Sequence, residues 1–213
     1  MIQTSTKNDV TRERFVYGAE LVGKYQFPLL PRSRADLTGL QPVPFTSAAK
    51  EKHPKKSLCH FFTHDCEFEK LWNQPEKYFE MLGNFQYVCA PDFSLFGNMP
   101  LALQIWQVYR SRALSWWLSL HGVNIIPVAT WAGAESYNFC FDGLPERSVI
   151  AVSTNGCFSA SGKAAYRDGF REMVHRLQPE FVLVIGRELD PGIDCNIVYM
   201  PGQAQQVAER LKR

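Results

Sequence analysis

The sequence predicts an α/β fold: a mainly parallel sheet of five or six strands, open or forming an incomplete barrel, flanked by helices and preceded by an irregular proline-rich segment. Three observations carry this expectation. Short apolar runs alternate with longer stretches whose apolar residues recur every three or four positions, the pattern of strands separated by helices. The run 181–185, F-V-L-V-I, is apolar throughout, as a strand buried on both faces is. The chain has 213 residues, 46% of them hydrophobic, which suits one sizeable core but not the eight strand and helix repeats of a closed barrel.

Residues 1–57 are interrupted by Pro28, Pro31, Pro42, Pro44 and Pro54, and proline cannot serve an interior ladder position. They are expected to wrap the domain as extended segments with room for one short strand, not to fold independently; residues 58–213 form a single α/β domain. The stretch 50–56, K-E-K-H-P-K-K, reads as a solvated basic loop. A strand is expected over 58–63, followed by a helix with Phe68, Leu71 and Trp72 at helical spacing. Pro75 then opens a short helix over 76–82, which Gly83 and Asn84 close. The next strand, 87–91, runs into Pro91-Asp92-Phe93-Ser94.

Residues 100–120 form the longest helical pattern, with Leu101, Ile105, Val108, Tyr109, Trp116 and Leu120 expected on its buried face. A third strand is expected over 124–130, where Pro127 favours an edge or a bulge, and an additional short strand over 136–141. Further strands fall at 148–152, 181–185 and 197–200. Helices fall at 161–177, with Tyr166, Phe170, Met173, Val174 and Leu177 on one stripe, and at 203–213, with a basic end.

Lysine and arginine number 23 against 21 aspartates and glutamates, which argues against a protein that binds nucleic acid through bulk charge. The first fifteen residues have no apolar core of secretory-signal length, and nowhere do eighteen apolar residues run together. The expectation is a soluble, cytoplasmic protein without membrane contact. Six scattered cysteines without a C-x-x-C motif read as small buried hydrophobes of a reducing compartment.

In parallel sheets, ligands sit outside the carboxyl ends of the strands. Asp65, Asp92, Ser94, Trp131 and the turn Ser153, Thr154, Asn155, Gly156 all fall at such ends. Asp65 and Asp92 are the candidate catalytic pair, since carboxylates sharing a cleft push each other's pKa apart. The same residue type also caps turns and helices. The turn offers hydroxyls and N–H groups ahead of a helix, a way to hold phosphate, and Trp131 offers a stacking face.

Arg110 and Arg112 can balance ligand charge, although an aromatic and arginine mixture on a helix is commonly packing plus a solvated face. Cys157, near a helix start, is a candidate lowered-pKa thiol without a histidine beside it. No metal site and no organic cofactor is identified; the carboxylates leave room for a divalent metal.

The motifs H-F-F-T-H-D-C-E-F-E-K-L-W-N-Q-P, P-D-F-S, M-P-L-A-L-Q-I-W-Q-V-Y-R-S-R, I-I-P-V-A-T-W, F-C-F-D-G and V-I-A-V-S-T-N-G occur in this order. In them the chain resembles a family of uncharacterised proteins, a domain of unknown function found in bacteria, phages and integrative mobile elements. The likeness spans about residues 60–186. It implies a phage or mobile-element setting, where defence and counter-defence proteins are common, and it brings no established activity. It places Asp65, the Pro91-to-Ser94 motif, Tyr109, Arg110, Arg112, Trp131, Asp142 and the Ser153-to-Gly156 turn in recognisable blocks, which adds Asp142 to the candidate ligand residues. His64 stands where the family tends to have a second acidic residue, which weakens a two-carboxylate metal site there.

Two functions follow as expectations. One is an enzyme or ligand binder acting on a nucleotide or nucleic-acid component at the strand ends, by hydrolysis or glycosyl transfer. The other is a non-catalytic interaction protein that binds a host or phage protein. Its expected signature is an exposed patch around Arg112, Trp116 and Trp117, with the strand-end cleft filled by side chains.

Overall fold

Apolar runs become strands where β-branched residues dominate and prolines stay at edges. The protein is described by a computed structural model covering Asp9 and residues 11–210. A hairpin of β1 (Leu21–Val22) and β2 (Phe27–Pro28) precedes β3 (Gln41–Pro44), α1 (Phe45–Ala48) and β4 (Ser57–His60). Next come α2 (Asp65–Asn73), α3 (Phe79–Gly83), β5 (Tyr87–Cys89), α4 (Leu101–Leu120) and β6 (Ile125–Ile126). The chain ends with β7 (Val149–Ser153), α5 (Ala160–Leu177), β8 (Phe181–Ile185), β9 (Ile197–Met200) and α6 (Gln203–Arg210). No helix of the described residues is long and apolar enough to cross a membrane.

Strands β3 to β6 pair in parallel in chain order, and so do β7 to β9. Val128 joins the two sheets: Pro127 O accepts from Ala151 N at 2.8 Å and Ala129 N donates to Ala151 O at 3.0 Å. Pro127 has no N–H to offer β7, so pairing with that strand begins at its carbonyl. The proline therefore marks the seam between the sheets.

Successive parallel pairing is how barrels are wound, and this sheet curves without closing. Val43, Leu58, Val88, Ile126, Ala151, Leu183, Ile185 and Met200, from every parallel strand, belong to one buried cluster. On the other face, Ile150, Val152, Val182 and Val184 pack with Tyr166, Phe170, Met173 and Leu177 of α5. Among the described residues no ladder joins β9 to β3. Instead Gln206 of α6 donates to Pro42 O of β3 at 2.7 Å.

Four expectations change. The parallel strands exceed the expected five or six, because Q-P-V-P at Gln41–Pro44 is β3; it tolerates two prolines by lying at a sheet edge. Residues 136–141 do not form a strand. Ser136 N donates to Gly133 O at 2.9 Å and Phe139 N to Ser136 O at 3.0 Å, the backbone bonds that wind Ala134–Asn138 into a 3-10 helix, and the Ser136 hydroxyl also donates to Gly133 O at 2.6 Å. The short helix after Pro75 divides at Tyr78 into a single turn, Pro75–Lys77, and α3. The end of the last helix, residues 211–213, lies outside the described residues.

The fourth change concerns α4. Leu101 and Leu120 are 47% and 58% exposed, whereas Gln104, Arg110, Arg112 and Ser115 are buried. The N-terminal segment covers the side that would otherwise meet water: the Phe15 and Trp117 rings lie 5.5 Å apart, and Trp116 Nε1 donates to Tyr17 O at 3.2 Å. A helix enclosed on several sides has no single apolar stripe.

Candidate functional site

Parallel pairing sets the C-terminal ends of β4, β5, β6 and β7 side by side, and the segments leaving them line a cleft of about 770 Å³. Thr63 and His64 follow β4, Asp92 and Ser94 follow β5, and Thr130 and Trp131 follow β6. Ser153, Asn155, Gly156 and Cys157 come from the end of β7, and Tyr166 of α5 and Gln203 of α6 complete the lining. Asn155 Nδ2 donates to Phe62 O at 3.1 Å, tying the end of β7 to that of β4 with two strands between them.

Asp92 is partly buried in this lining, and Thr130 Oγ1 donates to its Oδ1. Burial is the main reason its carboxyl is pushed up to about 6. The Thr130 hydrogen bond pulls it down, the Asp65 carboxylate pushes it up, and the Arg112 guanidinium pulls it down. A carboxyl titrating there can both give and take a proton near neutrality.

Asp65 opens α2 and has a different task. Its carboxylate accepts from Ser94 N at 3.1 Å, Ser94 Oγ at 2.7 Å and Gln107 Nε2 at 3.1 Å. Those bonds hold the loop that carries Asp92. The two carboxylates are thus near enough to interact, one engaged by three donors and the other facing the cleft with Thr130.

Several polar groups of the turn after β7, expected to hold phosphate, already have partners within the protein. Thr154 is fully buried, its hydroxyl donating to Arg187 O at 2.8 Å. The amides of Thr154, Asn155 and Cys157 donate to Ile185 O, Ser153 Oγ and Thr154 O, so these three are already engaged. Burial, and then the Asp92 carboxylate, push the Cys157 thiol up, opposite to the lowering expected from its place near a helix start.

Five candidate residues do not line the cleft: Asp65 and Thr154, described above, and Arg110, Arg112 and Asp142. Arg110 pairs with Glu69 at 2.7 Å and its guanidinium lies 3.8 Å from the centre of the Phe93 ring. Arg112 is fully engaged in tying backbone together, donating to Asp142 O at 3.1 Å, Val128 O at 3.2 Å and Cys140 O at 2.7 Å. With Arg112 2% and Trp117 7% exposed, the aromatic and arginine patch expected there does not exist. Asp142 lines a separate cavity of about 580 Å³ with Arg32, Glu146 and Arg176. Its carboxylate sits against Gly23, whose φ of +72° and missing Cβ both suit this close approach. Among the described residues no group of three or more His, Cys, Asp or Glu side chains is placed to hold a metal ion.

Thr63, Glu67, Thr130, Tyr166 and Gln203 in the cleft lining, and Gln107 on Asp65, are polar residues that sequence reasoning missed. Thr130 sits beside Trp131 at an expected strand tip, so its place was legible but its partner was not. Tyr166 reads as one member of an apolar stripe; the signal was a tyrosine where phenylalanine would serve, since a buried phenol ordinarily has a partner.

No solved structure matches the chain significantly. It is similar to the Gene 1 protein of Mycobacterium phage L5, 40% identical over 129 residues that cover 60% of this chain and 56% of that protein. It is also similar to the Gene 1 protein of Mycobacterium phage D29, 38% identical over 129 residues, or 60% of this chain and 48% of that protein. The chain spans about half the length of the curated relatives it matches. Residues 19–199, from just before β1 into β9, match one family throughout, and the chain belongs to it: the domain of unknown function DUF4417.

Proposed function

We propose that the protein binds a nucleotide or nucleic-acid component in the strand-end cleft and acts on it by general acid–base chemistry, with Asp92 as the proton-transfer group. The observation that carries this reading is a partly buried carboxyl, pushed up to about 6, in the wall of an open cleft. Trp131 in the same wall suits a flat ring, and Ser94, Ser153 and Asn155 suit its polar edge. Hydrolysis or glycosyl transfer needs only such a carboxyl and an oriented water or hydroxyl. The relatives are phage proteins, a setting that fits nucleic-acid chemistry in defence or counter-defence.

The test is a thermal-shift screen of pure protein against mononucleotides, dinucleotides, short oligonucleotides and divalent metals. A ligand at one hundred times its dissociation constant stabilises the native state by about 2.7 kcal/mol. The expected shift disappears in Trp131→Ala. Turnover of the ligand so found disappears in Asp92→Asn while the fold persists; unchanged turnover rejects the catalytic role.

A second reading, a non-catalytic protein that binds a host or phage protein, is favoured by exposed Phe96, Leu101 and Leu103 at 57%, 47% and 50%. Phe96 also lines the cleft. Here Phe96→Ser with Leu103→Ser abolishes capture of a defined partner, and no small ligand shifts the melting temperature.

A further inference from the structure

Two residues of the cleft lining carry a hydroxyl that has no partner among the described residues and is closed to solvent: Thr63 Oγ1 and Tyr166 Oη. Tyr166 is only 2% exposed. A buried hydroxyl without a partner is costly, so a ligand that reaches both as the wall side chains turn toward it recovers that cost on binding. Asp92, in the same wall, is hydrogen-bonded by Thr130 alone among the described residues. Cys157, also in the lining, is close enough for its ionisation to be opposed by Asp92 and to bear on that of Tyr166, which places these groups around one space.

Charge narrows the chemistry further. Among the described residues lining the cleft there is no lysine or arginine; the ionisable carboxylates there are Glu67 and Asp92, with His64 beside them. The helix start near the rim offers little more. Ser159 Oγ already accepts from Gly162 N at 3.0 Å and Ser159 O from Lys163 N at 2.9 Å. Arg187 is laid on the Phe158 ring, 4.2 Å from its centre. A phosphate in the cleft would meet two carboxylates and no fixed cation, the reverse of how phosphates are held. An uncharged ring bearing hydroxyl and amino groups meets complementary partners.

Resting on the ligand-binding reading above, we propose that the cleft selects the nucleoside moiety, not the phosphate. The hydroxyl and amino groups of the nucleoside bond to Thr63, Asp92 and Tyr166, its ring lies against Trp131, and any phosphate stays outside.

Isothermal titration of the whole protein with nucleosides and with the 5′-monophosphates of the same bases tests this. The expected result is that nucleosides bind at least as tightly as their monophosphates, with little dependence on salt. Tyr166→Phe deletes only the hydroxyl; it weakens nucleoside binding about tenfold without lowering the melting temperature, because the lost group has no partner among the described residues. Thr63→Val acts in the same direction through an independent contact. Monophosphates binding tenfold or more tightly than nucleosides overturn the inference and leave the binding reading standing. No effect of either variant on nucleoside binding also overturns it. Silence with both ligand classes overturns the inference together with the binding reading.

Discussion

The indole of Trp131 rests on the Cα of Gly169, and its N–H donates to Ala165 O at 3.1 Å, about one turn earlier on the same helix. A Cβ at position 169 would overlap the indole. Glycine inside a helix costs about 1 kcal/mol relative to alanine, so its presence in α5 is explained by the tryptophan it seats. Gly169→Ala is therefore expected to destabilise the protein by about 1–3 kcal/mol despite the better helix former. At roughly 2–4 °C per kcal/mol this is a measurable fall in melting temperature, accompanied by loss of the ligand-induced shift. A neutral or stabilising outcome would contradict the packing of Trp131 on this helix.

Asp92 makes stability depend on pH with a defined sign. Its carboxyl is raised from 3.8 to about 6, so over that range the native state keeps a proton that the unfolded chain has released. The favourable contribution is fully present below the unfolded value and is lost as pH rises through the folded one. It amounts to no more than roughly 3 kcal/mol. Asp92→Asn removes this dependence. Urea unfolding of both proteins should show the variant gaining on the parent across this window and levelling off above it; a constant difference would remove the buried, proton-holding Asp92.

Thr130 is the group that holds Asp92 down. Its hydroxyl donates to the carboxylate, and that bond opposes the effect of burial. Thr130→Val preserves shape and deletes the donor, so the Asp92 carboxyl should titrate higher than in the parent, as read by carboxyl carbon NMR. The expected stability cost at neutral pH is about 1–3 kcal/mol, since the charged carboxylate loses a donor.

Arg112 joins three stretches of chain through the carbonyls of Val128, Cys140 and Asp142. Burial lowers its guanidinium to about 10, with Cys140, Asp142 and Asp92 opposing that shift, so it stays charged at neutral pH. Arg112→Met keeps the stem but strands those carbonyls. A loss on the order of 3–5 kcal/mol is expected in chemical denaturation, close to abolishing the fold of a marginal domain. Arg112→Lys should recover only part of it, because an ammonium lacks the planar fork that reaches three acceptors.

Much of the fold is legible in local pattern. The runs at 181–185 and 197–200 coincide with β8 and β9, and the helix expected over 161–177 starts one residue earlier, at Ala160. The rule that loops after parallel strands share an edge places Asp92, Ser94, Trp131, Ser153, Asn155 and Gly156 around one cleft. The rest was hidden in distant contacts. Arg112 looks like a surface arginine until residues 128–142 fold over it, and α4 looks amphipathic until Phe15 and Tyr17 cover it. Thr154 and Asn155 are adjacent in the same motif, yet one hydroxyl is spent on Arg187 O while the other side chain spans to Phe62 O.

By itself, the sequence determined the class of fold, the alternation of strand and helix, and which residues stand at strand ends. These follow from periodicity and from the local preferences of proline, glycine and β-branched residues, which act within a few positions of themselves. Tertiary structure alone decided the curvature of the sheet, the seam at Pro127, the covering of α4, and the different hydrogen-bond partners of Asp65 and Asp92. It also decided that Thr63 and Tyr166, in the cleft lining, carry hydroxyls without a partner among the described residues. The physical reason is that burial and hydrogen-bond partners belong to pairs of residues far apart in the chain, and only packing brings those pairs together.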